Sequence, residues 1–384
     1  MQAATPSETD VLRGRKVKKK YSIKDYDFRL VILVLAITVI GIAVIGSADA
    51  SVQNKQIFGM GLGIVTMIIV SLIDYNFILK FRWLYYVLDI GLLIMVLIWG
   101  VEVGGAKRWI QLTKTIRFQP SELSKIILIL FFAGFFYKHK EKLNTAKILL
   151  ISMLLAALPL ALVLKEDLST TITTALIFIT LLFIAGLSYK IVLIVLGISI
   201  PSFAVGIYVI LQGKLLQGYQ LRRIQAWLYP EEYPDDALQQ QNSIMAFASG
   251  RLWGKGLYNE GADSVKNGGF ISEPRTDFIM AVAGEELGFV GAAVIVLLLL
   301  LIALECTLIA IRANDLSGRL IGCGMSALIA FQTLINVSVV TGLLPNTGLP
   351  LPFVSYGLTS LVTLYTGMGI VLNVGLQRKK PGRG

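Results

Sequence analysis

The chain has 384 residues, a length that in a soluble protein would correspond to domains of about 150 residues each. Its composition excludes that arrangement, because 55% of the residues are hydrophobic and only 15% are charged, and the mean hydropathy is +0.73. A soluble protein needs about 25% charged residues to cover its surface. The sequence therefore predicts a polytopic membrane protein. The net charge of +11 is typical of cytoplasmic loops rich in Lys and Arg, and does not require a nucleic acid as partner.

Ten apolar stretches can each form a membrane-spanning helix, which needs about 20 residues. The predicted spans are residues 30–47, 58–73, 83–100, 123–137, 148–164, 170–187, 191–211, 279–304, 320–341 and 358–376. These stretches are continuous rather than alternating, which favours helices over strands. The predicted fold class is an all-α integral membrane protein with about ten transmembrane helices and one large extracellular loop between the seventh and eighth.

An even number of spans places both termini on one side, and the positive-inside rule assigns that side to the cytoplasm. The tails at residues 1–28 and 379–384 are basic, as are the links near residues 80 and 140. Between the tails, residues 29–378 form the predicted ten-helix membrane domain, with the large extracellular loop at 213–276.

Two loops that would face outward carry cations against the charge rule. Long loops translocate regardless of their charge, which accounts for the second loop but not for the first. We therefore expect an outward-facing surface that binds an anion such as a phosphate or diphosphate headgroup. Its candidate residues include Lys107 and Arg108 in the first loop, and Arg222, Arg223, Lys255 and Arg275 in the second.

The long loop ends at Asp277, immediately before the predicted eighth span. In one interpretation, Thr276 or Asp277 caps that helix. In the other, Asp277 lies partly desolvated among the loop cations and acts as general base for a hydroxyl nucleophile. Cations lower the pKa of a carboxylate and desolvation raises it, so the sequence leaves the direction of the shift open.

Glu285 and Glu286 follow deeper in the same apolar span. On a regular helix Glu285 lies ~12 Å along the axis and ~80° around it from Asp277. A double-displacement reaction needs its two carboxyl groups about 5 Å apart, so this pair does not fit one. We expect both glutamates to be structural or gating groups, each paired with a cation or an amide.

Other polar or irregular segments occur near the predicted outer face. The residues from Gln119 to Glu122 and from Asp167 to Thr170 are typical of helix starts and interhelical hydrogen bonds. Residues 342–352 contain three prolines, two glycines and no charge, which predicts irregular backbone packed in protein or lining a cavity. Within the long loop, residues 221–229 predict an amphipathic interfacial helix and residues 239–252 a second helix.

Four stretches carry a family resemblance. They are residues 105–110 (GAKRWI) with 118–122 (FQPSE), residues 254–257 (GKGL), residues 276–279 (TDFI) with 284–288 (GEELG), and residues 341–345 (TGLLP) with 349–357 (LPLPFVSYG). With these motifs in this order, the chain resembles the SEDS family, named for shape, elongation, division and sporulation, from about residue 29 to residue 378. Within the family it resembles the RodA branch more than the FtsW branch, because of the LPLPF form of the last motif.

The resemblance implies an enzyme, a peptidoglycan glycosyltransferase that polymerises lipid II into glycan strands during cell elongation. It implies inversion at the anomeric carbon, an active site outside the bacterial cytoplasmic membrane, and a class B penicillin-binding transpeptidase as partner. The catalytic aspartate of the family matches Asp277. The implied residues for substrate or diphosphate are Lys107, Arg108, Trp109, Arg222, Arg223, Lys255 and Arg275. The supporting residues are Glu122, Asp167, Glu273, Glu285 and Ser355.

Family members are sensitive to divalent cations, so Mg²⁺ or Mn²⁺ stays open as a cofactor, although this sequence shows no cluster of metal ligands. The chain also departs from the family motifs, since Arg275 replaces a histidine and Leu358 replaces a glycine. The main alternative function is a flippase for lipid-linked precursors, because intramembrane acids and a proline-rich irregular segment are also typical of transporters. Polar groups at the outer rim rather than at the midplane favour the enzyme.

Overall fold

The structure is a computed structural model that describes residues 25–103, 106–111, 113, 117–165, 167–188, 218–259, 261, 264–266, 268–271 and 273–378. Within these residues the chain is almost entirely helical, and eight helices are long and apolar enough to cross a membrane. The predicted all-α polytopic membrane fold is confirmed.

The described residues contain twelve α-helices. In order, they are α1 (Phe28–Ala48), α2 (Ala50–Ser71), α3 (Tyr75–Lys80), α4 (Arg82–Trp99), α5 (Pro120–Lys138), α6 (Ala146–Leu164), α7 (Leu168–Ile184), α8 (Gly218–Leu228), α9 (Pro234–Ser249), α10 (Ile279–Ile311), α11 (Leu316–Val340) and α12 (Leu358–Leu376). A 3₁₀ turn at Lys140–Lys142 precedes α6.

The predicted spans agree with these helices except at their ends. The predicted sixth span corresponds to α7, which has 17 residues, and the predicted seventh, 191–211, lies outside the described residues. Helix α5 begins at Pro120 because proline suits the first helical position. The two helices expected in the long loop are present as α8 and α9. Helix α9 begins five residues earlier than predicted, with Pro234 in its first turn and two aspartates behind it.

A small antiparallel sheet in the loop between α4 and α5 was not predicted. It consists of β1 (Val101–Val103), β2 (Ala106–Gln111) and β3 (Arg117–Phe118), in the order β1-β2-β3. Glu102 pairs with Lys107, and Ile110 pairs with Phe118. The alternation in Val101–Val103 and the Trp109–Ile110 pair are typical of strands, but the segment is too short to stand out beside the membrane spans.

One end of the bundle gathers most of the interhelical polar contacts. There Ser47 near the end of α1 donates to Glu286 of α10, and Ser360 of α12 donates to Glu122 of α5. The side chain of Asn336 on α11 reaches the chain just before α10. We call this end, where α1 and α11 finish and α5, α10 and α12 begin, the site end.

Helix α10 is broken at Gly288, whose φ of 68° and ψ of −173° are not helical. The long loop satisfies backbone groups around the break, because the N–H groups of Lys255 and Gly256 donate to the carbonyls of Glu285 and Glu286 at 3.0 and 2.9 Å. A break that is compensated in this way costs no buried hydrogen bond. The loop therefore holds the first half of α10 in place at the site end.

A buried charge network links three helices at the same end. The ammonium of Lys125 lies 2.7 Å from Glu122 Oε1 and 2.8 Å from Gln332 Oε1, and its side chain is 1% exposed. The other oxygen of Glu122 accepts from Ser360 at 2.9 Å, and Gln332 donates to the carbonyl of Pro350. The network therefore joins α5, α11 and α12 to the irregular segment after α11.

Replacing Lys125 with methionine should destabilise the protein strongly, because it leaves the buried carboxylate of Glu122 without its cation. Removing one partner of a buried pair costs about 3–5 kcal/mol. We expect a clear fall in the thermal unfolding midpoint in detergent. The double variant Lys125→Met/Glu122→Gln should recover most of the loss, and an equal loss in both variants would contradict the charge-pair explanation.

Candidate functional site

Asp277 lies at the site end, and its carboxylate is not used as a helix cap. The N-cap residue of α10 is Phe278, which makes no side-chain capping bond, and the Thr276 hydroxyl donates to Glu273 instead. The capping interpretation is therefore wrong. Within the described part of the chain, the carboxylate of Asp277 makes no hydrogen bond, so it is free to take part in chemistry.

Two arginines and the aspartate converge beside Gly348. A Cβ atom added to Gly348 would lie 3.2 Å from Asp277 Oδ2, 3.4 Å from Arg108 Nη1 and 3.5 Å from Arg223 Nη1. The three groups come from separate elements: the start of α10, strand β2 and helix α8. Gly348 has a φ of +71°, which favours glycine, and the absence of a side chain lets three charged groups approach its backbone closely.

Burial raises the pKa of Asp277 to about 6, against the lowering effect of Arg223 and Arg108. Glu273 and Asp167 add small upward contributions. Desolvation therefore prevails over the cations, which answers the question that the sequence left open. A carboxylate with a pKa close to the working pH is ionised at neutral pH yet basic enough to accept a proton, as a general base must be.

We expect a reaction that depends on ionised Asp277 to lose rate as the pH falls through about 6. Above that pH the base is ionised and the rate is level; below it, the rate falls about tenfold for each pH unit. A pH profile of kcat/KM between pH 4.5 and 8.5 would check this, because kcat/KM reports the pKa of the base in the free enzyme. A profile that stays level down to pH 4.5 would exclude a base with this pKa.

Arg108 is held next to Asp167, with Nη1 3.5 Å from Oδ2 and both side chains mostly buried. Asp167 caps α7 by accepting from the Thr170 N–H at 2.9 Å. The Ser169 hydroxyl lies 2.9 Å from Asp167 Oδ1 and 2.7 Å from the carbonyl oxygen of Thr347, next to Gly348, and shares its single hydrogen between them. Asp167 is therefore the N-cap of α7, and the same residues connect Arg108 with the segment that carries Gly348.

The other predicted anion-binding residues are spread more widely. Arg222 is two-thirds exposed and lies 3.7 Å from Asp236, whereas its neighbour Arg223 faces Asp277. On β2, Lys107 is exposed, and Trp109 pairs with Val101 of β1. These residues flank the convergence point at Gly348 rather than forming it.

Arg275, which replaces the histidine of the family motif, forms an ion pair with Asp49 in the turn between α1 and α2. A hydrogen bond from Ser51, together with Arg275, lowers the pKa of Asp49. The guanidinium also lies 6.0 Å from the ring centroid of Tyr356. Arg275 therefore ties the chain before Asp277 to neighbouring elements at the site end.

Glu285 and Glu286 are buried and paired with cations of the long loop, as predicted. Lys255 lies 3.0 Å from Glu285, and Lys266 lies 2.6 Å from Glu286. Lys266 also donates to Ser47 at the end of α1. Lys255, predicted as an anion-binding residue, thus forms a salt bridge that fastens the loop to α10.

Ser355 and Asn336 hold the backbone at the site. The hydroxyl of Ser355 donates to the carbonyl of Thr276 at 2.7 Å and accepts from the Leu351 N–H. Ser355 was predicted as a supporting residue, whereas Asn336, Lys125 and Gly348 were missed. An amide or an ammonium inside an apolar span is itself a functional signal, and it could have identified Asn336 and Lys125.

Among the residues that the structure describes, no three His, Cys, Asp or Glu side chains are grouped so as to hold a metal ion. The groups around Asp277 include two guanidinium groups, which are not metal ligands. The donor set here therefore does not fit a metal held by protein side chains alone.

Comparison with known proteins places the chain in a family. The model of the cell cycle protein family of FtsW, RodA and SpoVE matches residues 26–380. The chain belongs to this family. It is 33% identical to a probable peptidoglycan glycosyltransferase FtsW of Trichlorobacter lovleyi, over 93% of this chain and 95% of the relative. It is also 33% identical to the peptidoglycan glycosyltransferase MrdB of Escherichia coli K12, over 92% and 94%.

Solved structures agree with this family. The chain is similar to one from a study of structural coordination of polymerization and crosslinking by a peptidoglycan synthase complex, with a TM-score of 0.75, 27% identity and coverage of 91% of this chain and 97% of the other. It is similar to the rod shape determining protein RodA of Thermus thermophilus, with a TM-score of 0.66, 26% identity and coverage of 92% and 98%. The resemblance to the SEDS family is confirmed.

Proposed function

We propose that this protein is a peptidoglycan glycosyltransferase that polymerises lipid II into glycan strands at the outer face of the bacterial cytoplasmic membrane. Family membership and the named relatives support the activity. The observation that carries the site assignment is the convergence of the Asp277 carboxylate with Arg108 and Arg223 beside Gly348.

Asp277 is the general base. The 4-hydroxyl of the acceptor sugar attacks the anomeric carbon of the donor, and its proton passes to the carboxylate of Asp277 as the new glycosidic bond forms. The bond between the anomeric carbon and the diphosphate oxygen breaks, and undecaprenyl diphosphate leaves with the electron pair. A single displacement of this kind inverts the anomeric carbon and needs only one carboxylate at the reacting centre, in agreement with the separate ion pairing of Glu285.

Arg108 and Arg223 stabilise the departing diphosphate. Negative charge develops on the bridging oxygen as the bond breaks, and fixed cations stabilise such charge most when they are already in position. Arg108 is held by Asp167, so its guanidinium needs little reorganisation during the reaction. Lys107, Trp109 and Arg222 flank these two arginines and provide the outer part of the substrate surface.

The site end faces outward in this proposal. The basic tails and the basic links at the opposite end then lie in the cytoplasm, as the positive-inside rule requires. The anionic headgroup of lipid II, flipped to the outer leaflet, meets Arg108 and Arg223 there. A Phe270→Cys variant tests the orientation, because Phe270 is an exposed position of the long loop. We expect its thiol to react with a membrane-impermeant maleimide in intact cells.

A class B penicillin-binding transpeptidase is the proposed partner. The similar chain from a peptidoglycan synthase complex supports this pairing, because polymerisation and crosslinking are coordinated in that complex. The LPLPF motif at residues 349–353 favours the elongation role of the RodA branch. We derive no step through a metal ion, and assays with and without EDTA test the involvement of Mg²⁺ or Mn²⁺.

The deciding experiment measures glycan polymerisation by the purified protein together with its transpeptidase partner, using lipid II as substrate. Long strands resolved on a gel are expected, and none should form with Asp277→Ala. If Asp277→Ala polymerised as well as the wild type, the assigned mechanism would be wrong. Scrambling of lipid II in proteoliposomes without any polymer would support the flippase instead.

A further inference from the structure

Three consecutive backbone carbonyls around the proposed base are each held by a different hydrogen-bond donor. The carbonyl of Arg275 accepts from the Tyr356 N–H at 2.8 Å. The carbonyl of Thr276 accepts from the Ser355 hydroxyl at 2.7 Å. The carbonyl of Asp277 accepts from the side-chain amide of Asn336 at 2.9 Å. Asp277 therefore projects from a backbone that is fixed at every residue from 275 to 277.

Asn336 is the only member of this set that reaches Asp277 itself among the residues described. It lies on α11, is 1% exposed, and directs its Nδ2 atom to two carbonyls, that of Asp277 at 2.9 Å and that of Leu349 at 2.7 Å. Its Oδ1 atom is buried and makes no hydrogen bond with any described residue. The side chain therefore donates two hydrogen bonds, and its acceptor atom forms none with another described helix.

The two carbonyls belong to the two segments that form the site. Leu349 follows Gly348, where an added Cβ atom would lie 3.2 Å from the carboxylate of Asp277 and 3.4 Å from Arg108. One amide group therefore binds both the backbone that carries the base and the backbone next to Gly348, and it links the two segments.

We propose that Asn336 is a positioning residue for glycosyl transfer, which holds the Asp277 carboxylate in place beside Gly348, Arg108 and Arg223. This proposal rests on the proposed function. Asn336 touches no reacting atom and acts through Asp277 and Leu349. A displacement of about 1 Å at a reacting centre can reduce a rate about 100-fold, so loss of this double bond should appear mainly in kcat.

A purely structural role for Asn336 is the alternative, and the chain contains a matched control for it. Asn373 on α12 is also fully buried, and it also bridges backbone groups, donating to the carbonyl of Ser71 at 2.8 Å and accepting from the Tyr75 N–H at 2.9 Å. Those contacts lie at the opposite end of the bundle from Asp277. Both asparagines stabilise the fold through backbone contacts, but only Asn336 binds the chain at the proposed base.

The test compares Asn336→Leu with Asn373→Leu in the full-length protein with its transpeptidase partner, using lipid II as substrate. We expect Asn336→Leu to lower kcat about 100-fold with KM for lipid II changed less than about threefold, and to move the midpoint of the acid limb of the pH–rate profile. Asn373→Leu should lower the thermal unfolding midpoint by a similar amount and leave kcat and the pH midpoint unchanged.

Hydrogen exchange provides a readout that does not depend on catalysis. In Asn336→Leu, exchange at the Leu351 and Tyr356 amides should accelerate, because their segment loses the Asn336 bond to α11 and, within the described residues, keeps only that of Gln332 to Pro350. If Asn336→Leu does not fold, Asn336→Gln, which keeps the donor on a longer side chain, should fold and show the same fall in kcat.

The outcomes separate the two proposals. The proposed function requires that the wild type polymerises lipid II while Asp277→Ala is inactive. If Asn336→Leu then has a normal kcat and a normal pH profile, only the positioning role is overturned. Equal losses of kcat in Asn336→Leu and Asn373→Leu also overturn it, because they indicate general destabilisation. A wild-type protein that makes no polymer, or an active Asp277→Ala, overturns the proposed function instead.

Discussion

Replacing Asp277 with asparagine is expected to abolish glycan polymerisation while the protein remains folded. Asparagine is nearly the same size as aspartate but cannot accept the proton of the acceptor hydroxyl. A general base contributes roughly 10²–10⁴-fold to a rate, so the residual activity should be below about 1%. The neighbouring cations stay in place, and binding of lipid II should change little, so the loss should fall on kcat and not on KM.

The same substitution should also raise the thermal unfolding midpoint at neutral pH. Burial raises the pKa of Asp277 in the folded protein to about 6 from its ordinary value near 4. A carboxyl group with a raised folded-state pKa opposes folding once it ionises, so stability falls as the pH increases between these two values. A neutral asparagine removes this effect. The gain in stability should vanish below about pH 4, where the wild-type carboxyl is protonated in both states.

A matched control for this variant is Asp315→Asn. Asp315 caps α11 at the end opposite the site end, accepting from the Gly318 N–H at 2.8 Å, and asparagine is an equally good N-cap residue. The variant changes the charge of the protein by the same amount, and polymerisation should stay at the wild-type rate. Comparable activity losses in Asp277→Asn and Asp315→Asn would indicate an effect of net charge rather than the loss of a base.

Hydropathy was enough to predict most of the fold, because about 20 apolar residues in a row have one stable conformation in lipid. The pattern could not show the break in α10, since Gly288 lies inside a single predicted span and a glycine in a membrane helix is common. The break depends on the distant loop at 250–256, whose N–H and C=O groups replace the lost helical bonds. The sheet between α4 and α5 was missed for a related reason, because its strands have 3, 6 and 2 residues.

The candidate site was predictable only in part. Asp277 and the loop cations could be identified, because charge on the translocated side of a membrane protein is unusual. Which cations meet Asp277 depends on tertiary structure: Arg222 and Arg223 are adjacent in sequence, yet only Arg223 faces the carboxylate while Arg222 pairs with Asp236. Lys255 was assigned to the substrate from its charge alone, and Glu285 holds it instead. No local pattern separates these cases, since each depends on a residue far along the chain.

Replacing Gly348 with alanine should lower kcat for polymerisation roughly 100-fold, which is the loss expected when a catalytic base is displaced by about 1 Å. The added methyl group would lie 3.2 Å from Asp277 Oδ2 and 3.4 and 3.5 Å from the two guanidinium groups. A contact of 3.2 Å is tighter than an ordinary carbon–oxygen contact, so the carboxylate or the backbone must move, which displaces the base from the two arginines. Strain also contributes, because alanine at a φ of +71° costs roughly 1–2 kcal/mol.

Gly269→Ala separates strain from occupation of the site. Gly269 has nearly the same φ, +70°, but nothing lies within 4 Å of an added Cβ. Both variants should therefore lose a similar amount of stability, visible as similar falls in the thermal unfolding midpoint, whereas only Gly348→Ala should lose activity. If Gly348→Ala kept full activity at its lower midpoint, the close approach of Asp277 to Gly348 and the two arginines would not be needed for catalysis. If the two variants lost activity equally, backbone strain alone would account for the result, and the convergence at Gly348 would have no catalytic meaning.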